Sequence, residues 1–139
     1  MQPANNCRIE LEHDTIIVTP MRNLGELDSE LFAADVEGIL RSLAQHRARN
    51  IVIDLCYTDF FGSDAIHHFL KLHRKIRSNR GRLAFCNASH NEREVLSLMS
   101  LDMLWPIFTS RTDAVDFVTK QSIDILVVDD SEVDRRITG

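Results

Sequence analysis

The sequence is poor in the features that most catalytic, membrane and nucleic-acid chemistry requires. No stretch approaches the ~20 consecutive apolar residues of a membrane helix, and residues 1–6 are polar and lead into alternating sequence, not an apolar secretory core. The formal net charge of −5 carries none of the basic excess typical of nucleic-acid binders. Cysteine is scarce: Cys7, Cys56 and Cys86 have no CxxC spacing and read as reduced small hydrophobes, not as a disulfide or zinc framework. There is no GxGxxG, no P-loop, no Ser-His-Asp order with supporting motifs and no paired acid/base carboxylates. His67, His68 and His73 fall on one helix, but none of them are four apart, and no cysteine or carboxylate cluster completes a metal site. The expectation is a cytoplasmic, non-enzymatic protein without metal or cofactor, contacting neither nucleic acid nor membrane.

What is present is enough for a core. Hydrophobic residues make up 44% of 139 and charged residues 27%, which suits one folded domain of ordinary size plus a short remainder. The most informative stretch is residues 50–66. Ile51, Val52, Ile53 and Leu55 form a β-branched apolar run without Pro or Gly, as in a strand buried on both faces. A polar turn follows. Gly62 allows a bend, Ser63 is a predicted N-cap, and Ile66, Phe69, Leu70, His73 and Ile76 recur at helical spacing. In an open α/β sheet, partner and ligand sites lie beyond the carboxyl ends of the strands, which points to residues 59–64.

In chain order, residues 7–12 and 15–18 read as two strands of a hairpin ended by Pro20, and Ser29 precedes a helix carrying Phe32, Val36, Ile39, Leu40 and Leu43. After the central strand and second helix, residues 82–86 read as a strand with a polar loop, 87–91, at its carboxyl end. A helix over 92–101, a short strand over 107–109 and a helix over 110–119 complete the order β-β-α-β-α-β-α-β-α. That order implies a small α/β domain with a mainly parallel sheet, an edge hairpin and about four helices. The inward core is predicted to include Phe32, Val36, Leu40, Ile51, Ile53, Leu55, Ile66, Phe69, Leu83 and Phe85. Gly81 is a predicted helix end. Lys71, Arg74, Lys75, Arg77, Arg80 and Arg82 form a basic run without an intervening acid, either a solvated helix face, which is the commoner case, or a patch for an acidic partner.

Several of these residues carry a family resemblance. Asp54-Leu55 at a strand end, Phe60-Phe61, and Gly62-Ser63-Asp64-Ala65-Ile66 opening a helix resemble the STAS domain family, the anti-sigma-factor antagonists, whose pattern there is Asp-Leu, a hydrophobic pair and Asp-Ser-Ser/Thr-Gly-Leu. Residues 82–85, Val95-Leu96 to Leu101, and 105–108 resemble the elements that follow, so the resemblance spans about residues 7–120. It implies that Ser63 is the phosphoacceptor, with Gly62, Asp64 and Ala65 where the family has Asp, Ser/Thr and Gly. It further implies a partner-facing surface of Asp59, Phe60, Phe61, Gly62, Ser63, Asp64 and His67. The partners implied are an anti-sigma factor or serine kinase and a serine phosphatase, with a homodimer as a further option. A structural role competes at two positions: Ser63 as a simple cap, and Asp54 as an acceptor of N–H bonds from the Gly62-Ser63 loop, which is favoured over a functional acid.

Residues 121–139 stand apart. Ile123 to Ser131 resembles the first strand of a response-regulator receiver domain, with Asp129 and Asp130 as an incomplete acidic pair. The expected division is therefore a STAS-like domain over 1–120, then a linker at Gln121-Ser122 and a receiver-like first strand. The expected function is a binding switch in bacterial partner-switching signalling, governed by serine phosphorylation and allied to a two-component system. The alternatives are a STAS-like docking subunit of a transport or lipid-handling complex and, more distantly, a small α/β enzyme using Asp54, Asp59 and Ser63.

Overall fold

A computed structural model describes residues 7–23 and 29–127. β1 (Cys7–Glu12) and β2 (Thr15–Pro20) form an antiparallel hairpin in which Glu12 faces Thr15, the chain turning through His13 at φ 58°. Then come α1 (Ser29–Gln45), β3 (Asn50–Asp54), α2 (Ser63–Ser78), β4 (Leu83–Cys86), α3 (His90–Leu98), a 3₁₀ turn (Leu101–Met103), β5 (Ile107–Phe108) and α4 (Arg111–Val127). The five-stranded sheet has the order β1-β2-β3-β4-β5, and every pair after the hairpin is parallel. This is the α/β class and element order expected from the sequence.

Strand order equal to chain order has a consequence for the layers. Right-handed crossovers between successive parallel strands must all fall on one face of the sheet, so α1, α2 and α3 share it. Ile16, Val18, Ile51, Ile53, Leu83 and Phe85 point into that layer, against Phe32, Val36, Ile39, Ile66, Phe69, Leu72 and Leu96. The alternate positions, Ile17, Val52, Ala84 and Cys86, face the other way, and α4 covers them with Ala114, Val115 and Val118. β3 is therefore buried on both sides, which is why its sequence is apolar throughout instead of alternating. Each fully buried Ile or Leu contributes about 1.5–3 kcal/mol relative to exposure.

Of the predicted core residues, nine are buried; Leu40 is half-buried at the margin of the cluster, and Ile39 takes the inward position. The histidines of α2 serve packing: His68 lies edge-on to Phe32 at 5.3 Å, and His73 accepts a 3.0 Å bond from the indole N–H of buried Trp105. Cys7 and Cys86 are buried strand residues, whereas Cys56 is exposed, so the small-hydrophobe reading fails for it. Burial, reinforced by Asp54, pushes the Cys86 thiol up to about 12; burial and then Asp35 raise Cys7 further.

Three local expectations are corrected. α3 starts at His90 instead of Glu92 because Ser89 closes a capping box with Glu92. Residues 121–127, expected as a linker and the start of a strand, continue α4. A short apolar run does not by its own pattern distinguish strand from helix, and a helix satisfies its backbone without needing a neighbouring strand. Asp129 and Asp130 lie outside the described residues. Gly81, finally, follows the turn that ends α2, but Arg80 takes the left-handed conformation there, at φ 63°. Gly81 is required for a different reason: a Cβ at this position would lie 1.6 Å from the Arg49 carbonyl oxygen, where the chain entering β3 crosses the chain entering β4. Arg49 donates to the Arg80 carbonyl at 3.1 Å, and buried Asn50 accepts from the Arg82 N–H at 2.9 Å, pinning the same crossing.

Gly81, before β4, and Gly38, inside α1, are expected to respond oppositely to alanine. Gly81→Ala meets backbone and should destabilise by about 1–3 kcal/mol or more. Gly38→Ala, inside α1 with only the Arg41 guanidinium nearby at 3.8 Å, should stabilise by roughly 0.5–1 kcal/mol. Urea denaturation of both variants measures this, and a tolerated Gly81→Ala would show that the crossing is looser than described.

Candidate functional site

The carboxyl ends of β2, β3 and β4 open onto one edge of the molecule, and the loop of residues 55–62 is fastened there from both sides. Asn23, just past β2, pairs reciprocally with Asp59: its amide donates to the Asp59 carboxylate at 2.8 Å, and the Asp59 N–H donates back to its carbonyl at 2.9 Å. From the β4 side, the Ser89 hydroxyl donates to the Asp59 carbonyl at 2.8 Å. Beneath, the buried Thr58 hydroxyl donates to the Glu92 carboxylate, whose second oxygen accepts the Ser89 N–H at 2.9 Å. Glu92 thus closes a helix cap and holds the neighbouring loop at once. The Ser-x-x-Glu spacing of the capping box was readable in the sequence; its second partner, 34 residues away, was not.

Phe60 and Phe61, expected together on the partner surface, are separated by the fold. Phe60 is 48% exposed, whereas Phe61 is 2% exposed, with its ring edge-on to Phe69 at 5.5 Å. Phe69 in turn meets Phe85 at 5.2 Å and Trp105 at 6.3 Å. Phe61 therefore anchors the loop in the core, and no partner can touch it there. The apolar part of the edge is supplied by Phe60 with exposed Tyr57 and Met21, neither of which carried a sequence signal beyond its type.

Ser63 is the first residue of α2, not its cap. The cap position belongs to Gly62, at φ −96° and ψ −178°, and no side chain caps this helix. The Gly62 carbonyl accepts from Ile66 N–H at 3.3 Å, so the helix begins without help from the Ser63 hydroxyl. Ser63, Asp64 and His67 are all exposed, with Gly62 half-buried beside them, so Asp59, Phe60, Gly62, Ser63, Asp64 and His67 share one edge.

Asp54 also departs from its expected partner, the Gly62-Ser63 loop. One of its carboxylate oxygens accepts from the Cys56 N–H at 3.1 Å and the Asn87 amide at 2.9 Å; the other accepts from Arg111 Nε at 3.1 Å. Arg111, the first residue of α4, reaches further to Glu10 at 3.0 Å and to the Thr19 hydroxyl at 3.2 Å, linking β1, β2 and β3. Burial alone would push the Asp54 carboxyl up, but the bonds from Asn87, Arg111 and Cys56 outweigh it and hold the carboxyl below its ordinary range. Its ion pair is almost fully buried on the Asp54 side. This is a structural bridge under the edge, its carboxylate taken up by three donors.

Comparison with known proteins agrees with this architecture. The family model described as the STAS domain matches residues 20–114. A Thermotoga maritima protein assigned as an anti-sigma factor antagonist superposes with a TM-score of 0.73 at 19% identity, covering 84% of this chain and 97% of its own. An anti-sigma-factor antagonist domain protein from Planctomyces limnophilus gives 0.68 at 24% identity, over 78% and 93%. SpoIIAA, a Bacillus cell fate determinant, matches in its unphosphorylated form with 0.70 at 19% identity over 82% and 96%, and in its phosphorylated form with 0.61 at 19% over 80% and 97%. No curated protein matches by sequence.

The Asp54 bridge has a pH signature. A carboxyl held below its unfolded value, near 3.9, contributes stability that is complete above about pH 4 and is lost as pH falls through the lower folded value. Arg111→Met should therefore cost about 1–3 kcal/mol at pH 7 by leaving a buried carboxylate short of a donor. That penalty should shrink at pH 3, because a carboxyl that has lost the Arg111 donor takes up a proton more readily than the paired one. Denaturant titrations at the two pH values check it; an equal penalty at both would reduce Arg111 to packing.

Proposed function

The chain belongs to the STAS domain family, and on that footing we propose that it is a protein-docking switch of the anti-sigma-factor-antagonist kind, set by phosphorylation of Ser63. The observation that carries the proposal is the placement of Ser63: an exposed hydroxyl in the first turn of α2, spared from capping, on the edge formed by Asp59, Phe60, Asp64 and His67. A docking surface needs apolar contact area with a polar rim, and Phe60, Tyr57 and Met21 supply the first while Asp59, Asp64 and His67 supply the second. The clamp through Asn23, Thr58, Ser89 and Glu92 keeps that surface in shape in the absence of a partner, so that little ordering cost falls on binding.

A phosphate on Ser63 would add nearly two negative charges. The amino terminus of α2 favours an anion there, so the fold tolerates it. Neighbouring Asp64 repels it, and a docked partner would have to strip its water. The expected partners are an anti-sigma factor or serine kinase that binds the unmodified form, and a serine phosphatase that restores it. Gly62 and Asp64, which stand where the family pattern has Asp and Ser/Thr, favour the second reading, a docking domain without a switch. Residues beyond 120 are proposed as the connection to a receiver-type module, on the strength of the Asp129-Asp130 pair.

Incubation with a partner serine kinase and ATP, followed by mass spectrometry, should find the phosphate on the peptide containing Ser63. Since Gly62 and not Ser63 occupies the cap position, Ser63→Ala should change stability by no more than about 0.5 kcal/mol and leave partner affinity intact. Ser63→Glu should keep the fold but weaken binding by about tenfold or more, ~1.4 kcal/mol. Titration calorimetry reads both, and equal affinities for the two variants would leave the non-switching reading standing.

A further inference from the structure

At the opposite end of α2 from Ser63 lies a cavity of about 720 Å³, lined by Arg77, Arg80 and Arg82 together with Met103, Leu104 and Phe117. We propose that it binds a small amphipathic anion, an organic phosphate ester whose head sits among the three guanidiniums and whose apolar body lies against Phe117, Met103 and Leu104. The cavity opens between the amino ends of β4 and β5, where Leu83 and Pro106 contribute lining, so it is separate from the docking edge.

Charge supports the assignment first. None of the three arginines forms a salt bridge among the described residues, and Asp102 is the acidic side chain in the lining. Arg82 lies over the Phe117 ring at 6.0 Å, which places its guanidinium beside the apolar wall. Burial and then the Arg77 charge push Arg82 below its ordinary range; burial, Arg77 and Arg74 do the same to His73, which also faces the cavity. Three guanidiniums are thus crowded around one space, Arg82 partly stripped of water, with Asp102 as the acidic group facing them. A phosphate, with several oxygens to meet several guanidinium forks, matches that excess of positive charge better than a single carboxylate.

The apolar wall supports the remainder. Met103 is 88% exposed and Leu104 40%, beside a cavity whose size falls within the roughly 300–1,000 Å³ typical of small-molecule sites. Two large apolar side chains at the mouth of a basic cavity suit a ligand with an apolar body, whereas a bare inorganic ion would leave them unused. The basic run in the sequence is therefore not merely a solvated helix face: Arg77, Arg80 and Arg82 turn toward one space.

The test uses the full chain with phenyl phosphate, inorganic phosphate and phenol as probes, followed by calorimetry and by the fluorescence of Trp105, whose indole bonds to His73 at the cavity wall. Phenyl phosphate should bind saturably and more weakly as salt rises; inorganic phosphate should bind at least tenfold more weakly, and phenol should not bind measurably. Arg77→Gln and Arg80→Gln, both exposed positions where folding is not at stake, should each weaken phenyl phosphate at least tenfold, and Met103→Ser severalfold. Ser63→Glu should leave it unchanged. Absence of saturable binding in the millimolar range, undiminished binding by the arginine variants, or equal affinity for inorganic and phenyl phosphate would overturn the proposal.

Discussion

A carboxylate cannot sit at the end of a strand buried on both faces without fixed partners, and Asp54 is such a carboxylate. β3 runs apolar from Ile51 to Ile53 with helices on one side and α4 on the other, and Asp54 closes it at 3% exposure. Leaving that charge unpaired would cost several kcal/mol. Its partners come from three places: the Cys56 N–H in the loop it begins, Asn87 at the end of β4, and Arg111 at the start of α4. The last contact has the widest reach. By holding Arg111 against β1, β2 and β3 together, it fixes where α4 starts, and α4 then lies back across Ile17, Val52 and Ala84. The second core layer and the loops of the docking edge are thus arranged around one satisfied charge.

The edge built over this bridge is rigid for reasons that can be named. Phe61 is driven into the aromatic cluster around Phe69, so Phe60 is turned outward by the alternation of the extended chain. Asp59 is held from the β2 side by Asn23 and from the β4 side by Ser89, and Thr58 is held from below by Glu92. Ser63, next to this loop, presents its exposed hydroxyl on a surface already held in place. On the proposed function, a change of charge at Ser63 would act on a partner directly, through repulsion and lost hydration.

The two ends of α2 differ in electrostatic character, which a net charge of −5 conceals. Its amino end presents Asp64 near Asp59 and Ser63; its carboxyl end gathers Arg77, Arg80 and Arg82 around a cavity. Charge distributed in this way governs which partners approach which end more than the total does. One helix therefore ends on an acidic surface at its amino terminus and a basic one at its carboxyl terminus.

The sequence by itself determined the element order, the inward faces, the class of fold and the loop to inspect, because these follow from periodicity and from the residue types that end helices and strands. The β-branched apolar run at 51–53 and the turn residues after it pointed to a strand covered on both faces, with Ser63 where its loop meets a helix. Tertiary structure decided what local pattern cannot express. Phe60 and Phe61 are the same residue type in adjacent positions, and only the aromatic cluster beneath them separates the exposed ring from the buried one. The partner of Asp54 is 57 residues away, and that of Thr58 is 34 away, beyond any local spacing rule. Ser63 was a credible cap by composition, but Gly62 took the extended cap conformation and left the hydroxyl free. Residues 121–127 read as a linker and the start of a strand, yet they continue the helix they follow, which satisfies its backbone within itself. Arg77, Arg80 and Arg82, in and just past α2, read as an ordinary charged face until Phe117 and Met103 joined them around a cavity, since a cavity is a property of surfaces brought together by the whole fold.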